Sequence, residues 1–104
     1  MHRQNPEMMK KQRKSALRTL YRLSKECSSN ESYFTGECIS EHWLYEEQHG
    51  NIKEARRAGM VCRHDIQELF DQYIQAGLIK RVLIGNTTGY RVDLTKEDKI
   101  RELL

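Results

Sequence analysis

Residues 72–94, with the sequence QYIQAGLIKRVLIGNTTGYRVDL, restrict the fold of this chain more than any other segment. A helical pattern runs into Ala76-Gly77, and two β-like runs then flank residues 85–89 (GNTTG). Glycine just after a helix adopts positive φ without steric cost, so the chain can turn back there. A short loop with glycine at both ends is typical of a β-hairpin. The segment therefore predicts a helix that leads directly into a small hairpin with strands over residues 78–84 and 90–94.

One apolar stripe defines the helix before the hairpin, which we predict from about residue 62 to residue 76. Apolar side chains recur there at positions i, i+3, i+4, i+7 and i+8, which lie on one face of an α-helix. They are Ile66, Leu69, Phe70, Tyr73 and Ile74. This helix is therefore expected to bury one face in the core.

A long first helix is predicted from Pro6, with Asn5 as its N-cap, to the turn-forming SSNES stretch. Its first half is mostly polar, so we expect it to pack against the rest of the chain only from about Ala16 onward. We therefore predict that the chain consists of a basic N-terminal arm or helix extension over residues 1–15 and one domain over residues 16–104.

Short elements complete the pattern. Tyr33-Phe34 is long enough for one rung of a sheet, and Thr35 is the N-cap candidate of a helix that stops at residues 49–51 (HGN). One or two helical turns are predicted over residues 52–60. Thr95 is expected to cap a short C-terminal helix.

The order of these elements is helix, short strand, helix, short helix, helix, strand, loop, strand, helix. It predicts an α+β fold, the winged helix-turn-helix, with a three-helix core and a small antiparallel β-hairpin as the wing. A long N-terminal helix and a short C-terminal helix flank this core. Tyr33-Phe34 would pair with the hairpin as a third strand.

Particular motifs resemble this family. The segment LFDQYIQAGLIKRV resembles the third helix and second strand of winged-helix domains. ALRTLYRLSKE, YFTGE and GNTTGYRVDL are similar to the C-terminal winged-helix domain of archaeal and eukaryotic origin-recognition initiators, over roughly residues 16–94. Those initiators also carry an ATPase module and a basic wing, whereas this chain has no G-x-x-x-x-G-K-[ST] loop and its NTTGY stretch is neutral. The resemblance implies a free-standing winged helix of related build.

Length and composition are those of one small intracellular domain. The chain has 104 residues, 38% of them hydrophobic, and no apolar run approaches the roughly 18 residues that span a bilayer. Its three cysteines are odd in number and lack the spacing of a disulfide framework, so we expect free thiols in a reducing compartment. The predicted location is the cytoplasm, in association with the nucleoid, or the nucleus, with no membrane partner.

Charge is distributed unevenly along the chain. Residues 1–26 contain eight Lys or Arg and two Glu, whereas residues 27–104 contain ten Lys or Arg and 13 acidic residues. A basic segment of this kind indicates a polyanionic partner, although a solvated helix face would look the same.

The resemblance and the charge together predict double-stranded DNA as the partner. In winged-helix folds the start of the third helix enters the major groove, where Arg63 could pair with guanine and Gln67 with adenine, with His64 between them. The predicted contacts of the wing and its ribbon are Lys80, Arg81, Thr87, Thr88 and Arg91. The other predicted backbone contacts are Lys10, Lys11, Arg13, Lys14, Lys53, Arg56 and Arg57.

Two alternatives remain open at this point. Glu68 and Asp71 share the helix face of His64 and Gln75, and acids there would repel phosphate. If this repulsion excludes DNA, the chain is a protein-interaction adaptor whose basic first helix binds an acidic partner. A second copy is another candidate partner, through the terminal helices, with Met8, Met9, Ile100, Leu103 and Leu104 as the interface.

Neither catalysis nor metal binding is predicted. Cys38, His42, Cys62 and His64 would supply four zinc ligands, but the spacing C-x-x-x-H…C-x-H matches no common zinc module. The sequence also lacks G-x-S-x-G, H-E-x-x-H and a glycine-rich phosphate loop. We therefore expect a non-enzymatic protein without a cofactor, a metal or a small-molecule substrate.

Overall fold

The structure is a computed structural model in which residues 6–27 and 32–104 are described. Over these residues the chain is α+β, with five α-helices and one antiparallel sheet, and this coarse prediction is confirmed. The elements are α1 (Pro6–Glu26), β1 (Phe34–Thr35), α2 (Gly36–Glu47), α3 (Ile52–Ala58), α4 (Ile66–Gln75), β2 (Ile79–Ile84), β3 (Thr87–Val92) and α5 (Glu97–Leu103), which follows a 3-10 turn at Leu94–Lys96.

The three strands form one sheet in the order β1-β3-β2. Phe34 in β1 pairs with Tyr90 in β3, and β2 pairs with β3 from Ile79↔Val92 to Ile84↔Thr87. The prediction that a short aromatic run adds a third strand to the hairpin is therefore confirmed, with the strand one residue later than expected.

The core lies between α1, α2, α4 and one face of the sheet. Two polar contacts connect α1 to its neighbours: Trp43 Nε1 donates to the half-buried Ser15 Oγ at 2.7 Å, and the backbone N–H of Val92 donates to the buried Ser24 Oγ at 3.2 Å. The largest fully buried side chains include Trp43, Phe70, Leu17, Leu20, Ile39, Ile66 and Ile100. Helix α1 thus contacts both α2 and the sheet.

The polar first half of α1 packs earlier than predicted. Gln12 is 3% exposed, and its Nε2 donates to the carbonyl oxygen of Met60 at 3.2 Å. This approach depends on Gly59, where a Cβ would lie 2.9 Å from Gln12 Nε2 and 3.0 Å from Met8 Cγ. The expectation that packing starts at Ala16 was therefore wrong. The domain division after residue 15 stays a prediction, and α1 is continuous across it.

Helix boundaries were predicted well where a local cap determines them. Thr35 Oγ1 accepts from the N–H of Cys38 at 3.1 Å, and α2 ends before His49 and Gly50, which have φ of 53° and 74°. At the C-terminus the predicted cap was wrong. Asp93 caps the 3-10 turn, because its Oδ1 accepts from both the N–H and the hydroxyl of Thr95, while the N-cap of α5 is Lys96, which makes no side-chain capping bond. The predicted N-cap Asn5 lies outside the described residues.

The hairpin loop is shorter than predicted. It consists of Gly85 and Asn86 alone, since the three residues after them, predicted as loop, lie in β3. Gly85 has φ of 62°, whereas Gly89 is required for space: a Cβ there would lie 2.9 Å from Tyr33 Cβ and 3.1 Å from Ile84 Cδ1.

The C-terminal helix packs on α1. Ile100 is fully buried and Leu104 packs against the core, while Leu103 is 41% exposed. Tyr21 and Lys25 both donate to Glu97 Oε2 at 2.9 Å. Most of the C-terminal apolar surface predicted for a homodimer is thus covered within the chain, and the homodimer itself stays a prediction. In the described part of the chain, no helix combines the length and apolarity needed to cross a membrane.

We predict that Gly89→Ala destabilises the sheet. Its Cβ would overlap the Cβ of Tyr33, which cannot rotate away, so overpacking of about 1–3 kcal/mol is expected. Thermal unfolding should give a lower Tm for this variant. Arg81→Ala is the matched control, because it introduces the same alanine at an exposed position of the neighbouring strand. An unchanged Tm for Gly89→Ala would contradict the close approach.

We also predict a pH-dependent contribution from Glu97. Hydrogen bonds from Lys25 and Tyr21 lower the pKa of this carboxyl below its ordinary value of 4.5. A lowered pKa in the folded state stabilises the protein above the unfolded-state pKa, and this stabilisation is lost as the pH falls through the folded-state pKa. Urea unfolding should therefore show a larger loss of stability for Glu97→Gln at neutral pH than at about pH 3. Glu102→Gln on the same helix is the control, and an equal loss at both pH values would contradict the prediction.

Candidate nucleic-acid interface

A concave cleft lies between the start of α4 and the β2–β3 hairpin. The start of α2 forms its third wall, with Gly36 and Glu37. Five of the residues predicted to contact DNA line this one cleft: Arg63, His64, Gln67, Thr87 and Thr88. The fold therefore brings together side chains that are up to 25 residues apart in the sequence.

The turn at Gly77 positions the hairpin relative to α4. Gly77 has φ of 76°, its N–H donates to the carbonyl of Ile74 at 3.0 Å, and the N–H of Leu78 donates to the carbonyl of Tyr73 at 2.8 Å. These two bonds form a Schellman motif, which ends a helix and reverses the chain. The N–H of Asp93 then donates to the carbonyl of Leu78 at 2.8 Å, which ties both strands of the hairpin to the turn.

Close packing of α2 against the segment before α4 closes the other side of the cleft. A Cβ at Gly36 would lie 3.0 Å from the carbonyl oxygen of Arg63 and 3.6 Å from Ile66 Cβ. Because glycine has no side chain, the first residue of α2 can contact this segment directly. That contact fixes the position of the Arg63 backbone, from which its side chain extends.

The predicted recognition residues lie partly before the helix. Helix α4 begins at Ile66, about four residues later than predicted, and residues 63–65 form a turn in which the N–H of Asp65 donates to the carbonyl of Cys62. Arg63 and His64 therefore extend from this turn, while Gln67 lies in the first helical turn. All three side chains are exposed.

Acidic residues border the same surface. Arg63 Nη1 lies 3.7 Å from Glu37 Oε2, and both side chains are more than half exposed. Exposed pairs of this kind contribute about 0–1 kcal/mol, so an incoming anion can compete for the arginine. Glu68 and Asp71 are exposed on the same side of α4, as the sequence predicted.

A second groove continues the cleft towards α1. It shares His64 and Gln67 with the cleft and adds Arg13 from α1, together with Glu68 and Asp71. The first half of α1 is thus part of one surface that reaches from the hairpin across α4. This surface carries both cations and acids.

The other predicted cations lie outside the cleft. On α1, α3 and β2 the exposed ones are Lys10, Lys11, Lys14, Lys53, Arg56, Arg57, Lys80 and Arg81. Arg57 contacts Glu54 at 3.3 Å. Lys11 and Lys14 border a separate groove beside Trp43 and Gly59.

Arg91 is not an exposed contact of the ribbon, and the predicted role does not fit its position. Arg91 is only 4% exposed. Its Nη1 donates to the carbonyl of Ser32 at 3.2 Å, and its guanidinium lies 5.9 Å from the ring centroid of Tyr33. The segment that leads into β1 covers this face of β3. Arg91 therefore holds the third strand against the hairpin.

The second half of α1 uses its cations within the chain. Arg18 pairs with Glu47, and Arg22 Nη1 lies 2.6 Å from Glu46 Oε2. Burial alone would raise the pKa of Glu46, but hydrogen bonds from His42 and Arg22 outweigh it and lower the pKa. Lys25 pairs with Glu97 of α5. The basic charge of α1 that is free to meet a partner is therefore concentrated in its first half.

Among the described residues, the cysteines and histidines form no metal-binding cluster. Burial, together with nearby carboxylates, raises the pKa of the Cys38 and Cys62 thiols, which keeps both protonated at neutral pH. His42 contacts Glu46 at 3.2 Å. Over residues 6–27 and 32–104, no group of three or more His, Cys, Asp or Glu is placed to hold a metal ion.

Sequence reasoning missed two kinds of surface residue. Glu37 and Tyr90 line the cleft because β1 brings the start of α2 beside β3, a contact that no local pattern shows. Leu83 and Ile84 are 72% and 53% exposed at the end of β2. For this pair a signal existed, since adjacent strand residues point to opposite faces and cannot both enter the core.

Comparison of the chain with protein-family models, with curated proteins and with solved structures finds no match. The geometry and charges of the cleft are the basis on which a function is proposed.

Proposed function

We propose that this chain is a winged helix that binds double-stranded DNA without catalysis, as a small transcriptional regulator or a replication-associated factor. The observation that carries the proposal is the cleft that collects Arg63, Gln67, Thr87 and Thr88. Duplex recognition needs base-reading side chains and backbone-contacting side chains on one concave surface. The cleft has both.

The arrangement of elements supports the winged-helix assignment. Helices α2, α3 and α4 precede a hairpin, and β1 adds the third strand of its sheet. In this fold the β2–β3 hairpin is the wing and α4 is the recognition helix. The similarity to the origin-recognition initiators belongs to the same proposal.

Base contacts come from the turn before α4 and from its first turn. Arg63 offers two parallel donors that fit guanine, and the Gln67 amide fits adenine. His64 lies between them on the same edge of the cleft. Because Arg63 and His64 precede the helix, the turn itself enters the major groove together with the helix N-terminus.

Backbone contacts surround this edge. Thr87 and Thr88 carry hydroxyls on the wing side, and Arg13 lies on the α1 side next to His64. Lys80 and Arg81 are exposed on β2. Each neutralised phosphate releases counterions, so these cations make binding salt-dependent.

The acids limit the affinity. Glu37, Glu68 and Asp71 border the same surface, where each approach to a phosphate costs about 1 kcal/mol at 4 Å in water-like dielectric. Arg91 adds no phosphate contact because it is buried. We therefore expect modest affinity for random duplex and a larger role for base contacts.

The adaptor alternative is less well supported. It requires the first helix to meet an acidic partner, yet Arg18, Arg22 and Lys25 already pair with acids of α2 and α5. The exposed cations of the first half of α1 lie beside the cleft surface and serve DNA binding equally well.

Fluorescence anisotropy with labelled duplex tests the proposal. Wild-type binding to random duplex should fall steeply between about 50 mM and about 200 mM salt. A duplex selected for tight binding should distinguish the roles. Arg63→Ala should weaken the selected duplex by about 1–3 kcal/mol and random duplex much less, whereas Arg81→Ala or Lys14→Ala should weaken both alike and reduce the salt slope by about 1.

Lys99→Ala on α5 is the matched control, because it removes an exposed cation that lines neither the cleft nor the groove beside it. No binding at low salt would contradict the DNA proposal. Equal losses on both duplexes for Arg63→Ala would remove that residue from base readout.

Glu37→Gln should strengthen DNA binding. The change releases Arg63 from its ion pair and removes a negative charge from the cleft, which together are expected to tighten binding up to about fivefold at low salt. The same titration measures it, with Glu41→Gln as the control, because Glu41 is an exposed acid of α2 that lines neither the cleft nor the groove beside it. Circular dichroism should follow folding, because Glu37 also lies in the first turn of α2. Weaker or unchanged binding would show that Glu37 does not oppose DNA.

A further inference from the structure

The tip of the hairpin is apolar on both faces. Leu83 and Ile84 are the last two residues of β2 and are 72% and 53% exposed. Adjacent residues of a strand project to opposite sides, so one side chain lies on each face of the ribbon. Across the hairpin they pair with Thr88 and Thr87, which add a methyl group to each face.

This tip is also narrow and braced. Gly85 has φ of 62°, which fits the first central residue of a tight type II′ turn, and no atom lies within 4 Å of a Cβ placed there. Behind the turn, Ile84 and Tyr33 approach each other over Gly89. The turn and Leu83 thus extend into solvent, whereas the half-exposed Ile84 side chain reaches back towards Tyr33.

Cations lie directly behind the apolar tip. Arg81 lies on the face of Leu83, two residues or about 7 Å back along the strand, and Lys80 lies on the face of Ile84. Both cations are exposed. An apolar tip in front of cations is complementary to a partner whose flat apolar interior lies between rows of negative charge. Stacked base pairs between two phosphate backbones have that structure.

We propose that the tip acts as an apolar wedge, with Leu83 and Ile84 entering the DNA minor groove and partly unstacking a base step. The inference rests on the proposed DNA-binding function and adds how the wing contributes to it. Side chains inserted in this way kink the duplex towards the major groove. The minor groove is about 6 Å wide, so the tip enters it and the full ribbon stays outside.

Specificity follows from the cost of deforming DNA. Pyrimidine–purine steps such as TA and CA unstack most easily, so sites with such a step beside the major-groove contacts are preferred. This selection needs no hydrogen bond from the wing to a base. It also explains how a wing without charge at its tip can contribute to recognition.

A double variant tests the wedge. Leu83→Thr with Ile84→Thr removes the apolar side chains and places at both positions a β-branched residue, which suits a strand. Leu103→Gln is the matched control, since it removes from α5 a leucine that is 41% exposed. The probe is a duplex with 2-aminopurine at a central TA step and a donor–acceptor dye pair at its ends, compared with an otherwise identical duplex without pyrimidine–purine steps at its centre.

Wild type and the control should raise the 2-aminopurine fluorescence and shorten the distance between the dyes. The double variant should lose both signals and bind the TA duplex roughly tenfold more weakly. Its salt slope should match that of wild type, because the phosphate contacts are unchanged. If the double variant does not fold, Leu83→Thr alone serves as the test, provided that its thermal unfolding curve is like that of wild type. This single variant should lose part of both signals.

Each contrary result has a separate meaning. If wild type binds neither duplex at low salt, the proposed function itself fails. If wild type binds DNA but leaves the 2-aminopurine signal and the dye distance unchanged, the wedge is wrong and DNA binding stands. If the threonine variants bind and distort the TA duplex as wild type does, the wedge is also wrong, and the apolar tip is then a surface for a protein partner.

Discussion

The turn at Gly77 is the constraint on which the candidate interface depends. It ends α4 and starts β2 through two backbone hydrogen bonds, and the side chain of Lys96 donates to the Gly77 carbonyl at 3.1 Å. Any other residue would have to adopt φ near 76°, and its Cβ would lie 2.7 Å from Lys96 Nζ. Because the turn holds the hairpin beside the start of α4, it creates the cleft. The angle between helix and hairpin therefore results from the backbone, before any side chain of the cleft is considered.

A second constraint is the position of α1 between the helices and the sheet. Two of its hydroxyls connect it to both neighbours: the half-buried Ser15 accepts from Trp43 of α2, and the buried Ser24 accepts from the Val92 N–H of β3. An unpaired buried N–H would cost about 1–3 kcal/mol, so Ser24 stabilises the fold through this hydrogen bond as well as through packing. The cations of α1 also have different surroundings along the helix. Its second half pairs with acids of α2 and α5, and its first half remains basic beside α4.

Local chemistry made much of the fold predictable, and long-range contacts account for the errors. The Thr35 cap, the stop at His49-Gly50 and the turn at Gly77 were read correctly because each depends on a few adjacent residues. Gly89 was misread as a loop residue because its role is to admit Tyr33 from a distant strand. For the same reason the burial of Arg91 under residues 32–33 could not be predicted. In the cleft, Arg63, His64, Gln67, Thr87 and Thr88 were named in advance from the sequence, whereas the α2 wall required knowledge of the sheet.

Heteronuclear NMR during titration with duplex DNA at low salt tests the central claim most directly, because it reports each backbone amide separately. The account predicts that the largest shift changes fall on the cleft, at Arg63, Gln67, Thr87 and Thr88, and that they disappear at high salt. Shift changes that are absent, or that fall on the paired face of α1 around Arg22 and Lys25, would contradict it.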